Sequence, residues 1–294
     1  MGNSQKNSTE KEFKDKYRII TISNGKSDQR QDFEKIVAKM EKIASTVCSM
    51  AHGEIGKLFE YIFEADADDI MDKIISIQGK ITRIDLKIDI KVVTECRSKI
   101  ISSIAFLKDY HENNSKDSFK SFFELSIPSL RQLKEYISLN DPNPALMNSL
   151  TLLCIFLETP LSLLKYGAEI KYFHEDALRA IQECKEALFD EQKKVYCYLK
   201  GNINRPSYFG MESYTPDLGL PAFEDTWNNI TVKVKSKEVC YTCKYSCMPH
   251  HHKYDKARIE DYVRETYLRE FVSKQLKPTI DYVGKNNDLE DSFE

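Results

Sequence analysis

Apolar residues recur at helical spacing over much of the chain, and the longest such series begins at Ile70. Its first members alternate in steps of four and three, the heptad spacing of a helix that packs along one seam. These members are Ile70, Ile74, Ile77, Ile81, Ile84 and Ile88. Steps of four then continue through Val92, Cys96, Ile100 and Ile104, a stutter that locally unwinds a supercoil. The series predicts one long helix over about 68–107 that packs on another helix, in preference one of the same chain.

Three more segments carry a helical pattern. Residues 27–51 and 119–137 each present one apolar stripe, and the second is expected to break at Pro128, because proline lacks the amide hydrogen that a helix interior needs. A second seam predicts a long helix over 166–199, as the antiparallel partner of the Ile70–Ile104 helix. Its members are Ile170, Phe173, Ala177, Ile181, Cys184 and Leu188.

The most apolar stretch, Ala145 to Leu164, is long enough to cross a membrane. It also carries Asn148, Glu158 and Pro160, and an ionised carboxylate near the bilayer centre costs several kcal/mol. A buried core helix is therefore the preferred interpretation. Insertion into a membrane under some conditions, or a permanent span, remain alternatives.

Alternating residues predict strands at both ends of the chain, at 17–22 and at 230–234. We expect a mainly α protein: an elongated bundle of long amphipathic helices at 17–200, after a disordered lead at 1–16. The proline- and glycine-containing segment 201–229 reads as a loop-rich linker. A small C-terminal Cys/His-containing β/α unit at 230–284, with a final helix over about 254–276, and an acidic tail at 285–294 complete the prediction.

Composition supports a folded helical protein without naming its partner. Apolar residues make up 41% of the 294 residues, and glycine and proline are scarce, with ten and nine copies. The net charge of −3 gives no general attraction to nucleic acid. The polar N-terminus lacks the apolar core of a signal peptide, which predicts a reducing, cytoplasmic location. Acylation at Gly2 stays open, since Lys6 stands where the myristoylation motif has Ser or Thr.

Metal-binding side chains concentrate near the C-terminus. Cys240 and Cys243 form a CxxC pair that can bring two thiolates to one ion, and Cys247 can be the third ligand. The fourth ligand would come from the run His250, His251 and His252. In a reducing compartment this pattern predicts a structural zinc ion, which would stabilise a unit too small to fold on its own core.

The same segment resembles a cysteine–histidine patch of the form C-x2-C-x3-C-H-x2-C, which lies behind the GTPase domain of some large animal and ciliate P-loop proteins. Met248 stands here where that patch has histidine, and His251 stands where it has its last cysteine. The resemblance covers about a dozen residues. It implies metal binding by Cys240, Cys243, Cys247 and His251, and it implies no enzymatic activity.

Other chemistry finds less support in the sequence. Gly25-Lys26-Ser27 copies the end of a P-loop, but Ile20 occupies the position of the first glycine, so a turn and helix cap are expected. Cys48 and His52 could form a thiol–imidazole pair, although a helix cysteine in an apolar stripe is more often a core residue. His174 and its acidic neighbours read as a solvated helix face. Six lysines at 233–256 allow nucleic-acid binding, yet a solvated charged face is the commoner explanation.

The sequence thus predicts a non-enzymatic, intracellular interaction or scaffold protein that associates with itself or with a partner's helix through its seams. The alternative is a membrane-active bundle of the α-helical pore-forming kind, in which segment 145–164 leaves the bundle and inserts.

Overall fold

The computed structural model describes residues 17–23, 29–65, 69–73, 90–139, 144–199, 211–214, 222–225, 230–236, 262, 266 and 276–284. These residues divide into two compact units, one mainly helical and one containing a small sheet. The helical unit holds nearly all of the described core, and it confirms the prediction of a mainly α bundle.

Among the described residues, six α-helices form most of the helical unit. They are α1 (Gln29–Ser49), α2 (Ile55–Glu64), α3 (Ile90–Asn113), α4 (Lys116–Leu139), α5 (Pro144–Leu163) and α6 (Lys171–Leu199). A 3-10 turn, His52–Glu54, precedes α2, and residues 276–283 form a further helical segment. The predicted helix at 27–51 is confirmed by α1.

A two-residue connection folds α3 back onto α4. Asn114 has a φ of 51°, a left-handed conformation that asparagine tolerates better than most residues. Ser115 accepts a hydrogen bond from the Ser118 amide at 3.3 Å, which caps the start of α4. Asp109, in the last turn of α3, accepts bonds from Asn113 at 2.7 Å and from the Ser118 hydroxyl. A short loop fixed in this way makes α3 and α4 antiparallel neighbours.

Helix α4 continues through Pro128, where the sequence predicted an interruption. Pro128 has no amide hydrogen to donate to the carbonyl oxygen of Glu124. Since Pro128 and Glu124 are both exposed, water can donate this hydrogen bond instead. Ile127 and Leu130, on either side, are fully buried and hold the helix to the core. Packing therefore outweighs the local cost of the proline.

Most of the described residues of the seam that begins at Ile70 are buried by other helices of the same chain. Ile70, Ile100 and Ile104 are at most 1% exposed. Helix α3 packs mainly on α4, whereas α6 packs on α4 and α5. The prediction that the 166–199 helix is the partner of this seam is therefore wrong, because the short α3–α4 connection places α4 there first. The seam members from Ile74 to Ile88 lie outside the described residues.

Helix α5 is the buried centre of the bundle, which confirms the interpretation as a core helix. Pro144 opens it, a position where the missing amide hydrogen costs nothing. Every residue from Pro144 to Leu157 is buried. By length and composition α5 is the single helix of the described part that could cross a membrane, and 78% of its most apolar stretch is covered by other parts of the chain.

The C-terminal segment 276–283 belongs to the helical unit and packs on α5. Thr279 lies 2.9 Å from Thr151 and donates to Asn148 at 3.0 Å, and all three side chains are buried. Lys277 reaches Glu41 of α1 at 3.1 Å. The sequence placed this segment in the small C-terminal unit. The structure differs because Thr279 supplies hydrogen-bond partners that the polar side chains of α5 need.

The second unit contains a four-stranded antiparallel sheet in the order β1-β4-β3-β2. Its strands are β1 (Tyr17–Ser23), β2 (Met211–Tyr214), β3 (Ala222–Asp225) and β4 (Ile230–Ser236). The predicted strands at 17–22 and 230–234 are confirmed, and they pair with each other from Tyr17↔Ser236 to Ser23↔Ile230. This pairing separates β1 from the bundle to which the sequence assigned it. Two short strands also lie within the predicted linker 201–229.

Candidate functional site

The predicted zinc ligands Cys240, Cys243, Cys247 and His251 lie outside the described residues, as do His250 and His252. The zinc site therefore stays a prediction. Within the described ranges, His, Cys, Asp and Glu side chains form no group of three or more that is placed to hold a metal ion.

Two other candidates from the sequence are placed by the structure, and neither forms a catalytic pair. Helix α1 ends at Ser49, so Cys48 and His52 do not share a helix. His174, expected on a solvated face, is only 3% exposed, and its Nε2 lies 2.7 Å from the Leu161 carbonyl oxygen. At that distance Nε2–H is the donor. His174 thereby caps the C-terminus of α5, because it donates a hydrogen bond to a carbonyl oxygen in the last turn, where helical amide partners are missing. Its ring stacks on Tyr166 with 4.0 Å between the centroids.

A cavity of about 540 Å³ lies between α1, α5, α6 and the C-terminal segment. Its apolar wall consists of Ala44, Met50, Ile155, Leu163 and Pro278. Its charged and aromatic wall consists of Glu41, Glu158, Lys185, Asp281 and Tyr282. The volume falls in the range of roughly 300–1,000 Å³ that is typical of small-molecule sites, and such sites also combine apolar walls with a few polar groups.

Glu158 is the central polar group of this cavity. Its Oε1 accepts a hydrogen bond from Lys185 at 2.6 Å, and its Oε2 accepts one from the Tyr282 hydroxyl, also at 2.6 Å. Lys185 Nζ also lies 4.5 Å from the centre of the Tyr282 ring, a cation–π contact. Burial raises the pKa of the Tyr282 phenol far above its usual range, with the nearby Cys154 thiol and Glu158 adding to the effect. Tyr282 therefore stays a neutral donor at physiological pH.

A second set of charges lies beside this group, where Lys277 bridges two carboxylates. Its Nζ lies 3.1 Å from Glu41 and 3.6 Å from Asp281, both of which line the cavity. The hydrogen bond to Glu41 raises the pKa of Lys277, so this lysine stays charged. Together, the cavity wall and the Lys277 bridge contain three carboxylates and two ammonium groups.

Thiols surround the Glu158–Lys185 pair, and their environment makes them poor nucleophiles. Burial raises the pKa of Cys154 well above its ordinary value, and the neighbouring Cys184 thiol adds to the rise. Burial likewise raises the pKa of Cys48, although a hydrogen bond from Thr159 acts in the opposite direction. Since the thiolate is the reactive form, the raised pKa slows the reaction of both thiols, and burial also keeps reagents away from Cys154 but not from the exposed Cys48. The cavity is thus built for binding more than for covalent chemistry.

Sequence reasoning noticed Glu158 only as an obstacle to membrane insertion. It missed Lys185, Tyr282, Lys277 and Asp281 as members of one site, because they come from helices far apart in the chain. The one available signal was Glu158, an ionisable residue near Pro160 in the most apolar segment of the chain, a local conflict of the kind that often marks a functional position.

Comparisons with known proteins add no family to this picture. No protein-family model matches the chain, and no curated protein and no solved structure shows significant similarity to it. The function must therefore be argued from the molecule itself.

Proposed function

We propose that this chain is a non-enzymatic interaction protein, in which a helical bundle presents a binding surface at one end. The observation that carries this proposal is the exposure of two tyrosines, Tyr166 and Tyr172, around the α5–α6 connection. Tyr172 is 70% exposed and Tyr166 is 42% exposed. Ile70, Ile100 and Ile104 are buried in the chain's own core, so these described seam positions offer no surface to a partner.

The proposed surface, which we term the aromatic end, consists of the exposed Tyr166 and Tyr172 and the rings that support them, the half-buried Phe123 and Phe173 and the buried His174. The Phe123 and Phe173 rings meet edge to face at 5.1 Å, and Tyr172 lies 5.9 Å from Phe173. Tyrosine is enriched among the residues that dominate binding energy at protein interfaces, because a large rigid ring with a polar tip loses little entropy on binding. A layer of packed rings beneath the two tyrosines preorganises them for a protein partner.

Charged side chains surround the aromatic end. Lys165, Glu169, Lys171 and Glu175 are exposed around the α5–α6 connection, and Lys116 pairs with Glu169 at 4.0 Å. An apolar centre with a mixed charged rim is the usual composition of a specific interface. This composition supports a protein partner over a nucleic acid, which would need a mainly basic surface.

The sharpest test compares Tyr172→Ser with Leu139→Ser, a matched control because Leu139 is 78% exposed on a different helix. Light scattering of the full chain measures self-association, and proximity labelling in cells with both variants identifies other partners. Loss of the association with Tyr172→Ser, and its retention with Leu139→Ser, supports the proposal. An association that survives Tyr172→Ser, or a chain that binds neither itself nor another protein, contradicts it.

The small C-terminal Cys/His-containing β/α unit with its structural zinc ion is the second part of the proposed function. Cys240, Cys243, Cys247 and His251 follow closely after β4, so a metal bound there would anchor the chain that leaves the sheet. We expect about one zinc per chain after purification, and loss of the metal on treatment with a chelator. Cys243→Ser should abolish zinc binding, whereas Cys48→Ser should not. A chain without zinc overturns this part and leaves the aromatic end unaffected.

A membrane-active bundle is the second candidate, favoured by the length and apolar character of α5. Insertion would require α5 to leave α6, which would expose the buried thiols Cys154 and Cys184. The expected result is leakage of dye from liposomes, together with alkylation of Cys154 and Cys184 only when liposomes are present. The exposed Cys48 is the control, because it should be alkylated with and without liposomes. A substitution such as Leu153→Asp would only unfold the bundle, because Leu153 is fully buried.

A further inference from the structure

The cavity around Glu158 has binding capacity that the protein itself does not use. Glu158 accepts one hydrogen bond at each oxygen, and a carboxylate oxygen can accept two. Among the described residues, none hydrogen-bonds to the hydroxyls of Ser45 and Ser162, which also line the cavity. A space of about 540 Å³ with open acceptor positions and an apolar wall is suited to a small organic molecule.

The charged side chains in the wall indicate the charge of the ligand that the cavity can bind. Glu41, Glu158 and Asp281 bring three negative charges, and Lys185 together with Lys277 brings two positive ones. An anionic ligand would add a further negative charge to this net negative group, and it would compete with Glu158, 2.6 Å away, for the ammonium of Lys185. A cation adds to the open acceptor positions without breaking any bond.

The apolar side chains in the wall indicate that the ligand also has an apolar part. Ile155, Leu163, Met50 and Pro278 present apolar surface beside the charged groups. Burying such surface contributes roughly 25 cal/mol per Å², so an alkyl or aryl body adds affinity that a bare ion would lack. The Tyr282 ring, already in contact with Lys185, shows that a cation is tolerated at an aromatic face here.

We infer that this cavity binds a small organic ammonium ion: a primary amine whose charged head lies against Glu158 and the Glu41–Asp281 side, and whose apolar body lies along Ile155 and Leu163. The inference does not depend on the aromatic end, which is built from a different part of the bundle. The site requires the C-terminal segment, because Asp281 and Tyr282 complete its charged wall.

Three probes with the same chain and different heads test the inference: hexylamine, hexanol and hexanoate. The amine is protonated at neutral pH, as lysine is. Calorimetric titration of the full chain at low salt should give hexylamine a Kd about tenfold below that of hexanol, the factor that one charge-assisted hydrogen bond can supply. Hexanoate should bind more weakly than either. Equal affinity for hexylamine and hexanol overturns the charge selection, and tightest binding of hexanoate overturns the assignment of the cation.

Variants locate the binding in the cavity. Glu158→Gln keeps the shape and removes the charge, and it should raise the Kd of hexylamine about tenfold while changing that of hexanol by less than about twofold. If Glu158→Gln fails to fold, Asp281→Asn serves instead, since Asp281 is more than half exposed, and a rise of about threefold is expected. Glu135→Gln, an exposed carboxylate of α4, is the control and should change nothing. Hexylamine binding that neither cavity variant weakens overturns the inference.

Discussion

The hydroxyls of Thr151 and Thr279 lie 2.9 Å apart in the core of the bundle, although 128 residues separate them in the chain. Thr279 is fully buried, and its single proton can be donated to Thr151 or to Asn148 Oδ1 at 3.0 Å. Thr151 also bonds to the Met147 carbonyl of its own helix at 2.8 Å. This small network is what fixes the C-terminal segment on the most apolar helix.

Thr279→Val should therefore destabilise the bundle by about 1–3 kcal/mol, because the nearly isosteric valine removes a buried hydrogen-bond donor to Asn148 and a buried partner of Thr151. Denaturant unfolding of the full chain measures this difference. Ser49→Ala is the matched control, since Ser49 is exposed and bonds only to the carbonyl of Thr46, and its effect should stay within about 0.5 kcal/mol. Equal effects of the two substitutions would contradict the role given to Thr279.

His174 should carry its proton on Nε2 in the folded chain, because that nitrogen faces the Leu161 carbonyl. Long-range nitrogen–proton NMR correlations distinguish the two tautomers directly. His174→Phe keeps a ring against Tyr166 but leaves the carbonyl without its donor, and we expect a loss of about 1–3 kcal/mol in the free energy of unfolding. His52→Asn, at an exposed position, should change stability little. Observation of the Nδ1–H tautomer would refute the hydrogen bond from His174 to the Leu161 carbonyl.

The α3–α4 connection should show a pH-dependent contribution from Asp109. Hydrogen bonds from Ser118 and then Asn113 lower the pKa of Asp109. A carboxyl whose folded-state pKa is depressed contributes stability above its unfolded pKa of about 3.9, and this contribution is lost as the pH falls through the folded-state value.

Ser118→Ala should raise the pKa of Asp109 in an NMR titration of the carboxyl carbon. The stability difference between Ser118→Ala and the wild type should begin to shrink as the pH falls below about 4, and it should reach its minimum only below the lowered pKa of the wild-type Asp109, where the carboxyl is protonated in both. Ser138→Ala, at an exposed position near the end of α4, gives the background for a serine substitution. An unchanged Asp109 titration would rule out this arrangement.

The thiols of the helical unit should separate into two classes of reactivity. Cys48 is exposed, whereas Cys96, Cys154 and Cys184 are buried. Mild alkylation at pH 8 should modify Cys48 and spare Cys154 and Cys184 until the chain is unfolded, because burial raises the pKa of Cys154 and excludes the reagent. Peptide mass spectrometry gives the modified fraction at each site. Early labelling of Cys184 would show that α5 and α6 separate readily, which would favour the membrane-active alternative.

Periodicity alone was enough to predict the elements whose pattern is local. The stripe at 27–51, the apolar stretch at 145–164 and the alternation at 230–234 correspond to α1, α5 and β4. The continuity of α4 through Pro128 was harder to anticipate, because the cost of Pro128 is local whereas the burial of Ile127 and Leu130 depends on tertiary contacts. His174 was misjudged for the same reason: its acidic neighbours suggested solvent, and only the fold places its ring beneath Tyr166.

The candidate site was beyond prediction from spacing. Glu158, Lys185 and Tyr282 belong to three separate helical segments, and no sequence interval relates them. The seams indicate which segments are helical but not how the helices pair, because an apolar stripe specifies that a helix is covered and leaves the covering helix undefined. The short α3–α4 connection made that choice.

Strand β1 hydrogen-bonds to β4, and the bundle receives residues 276–284 from the other end of the chain. Neither unit is continuous in sequence, so a growing chain on the ribosome exposes β1 unpaired until β4 has been synthesised. The hydrogen bond from Thr279 to Asn148 of α5 likewise forms only after residue 279 has been synthesised. Native assembly is consequently a late, post-translational event, and shortening the C-terminus would affect the earliest helices as much as the last.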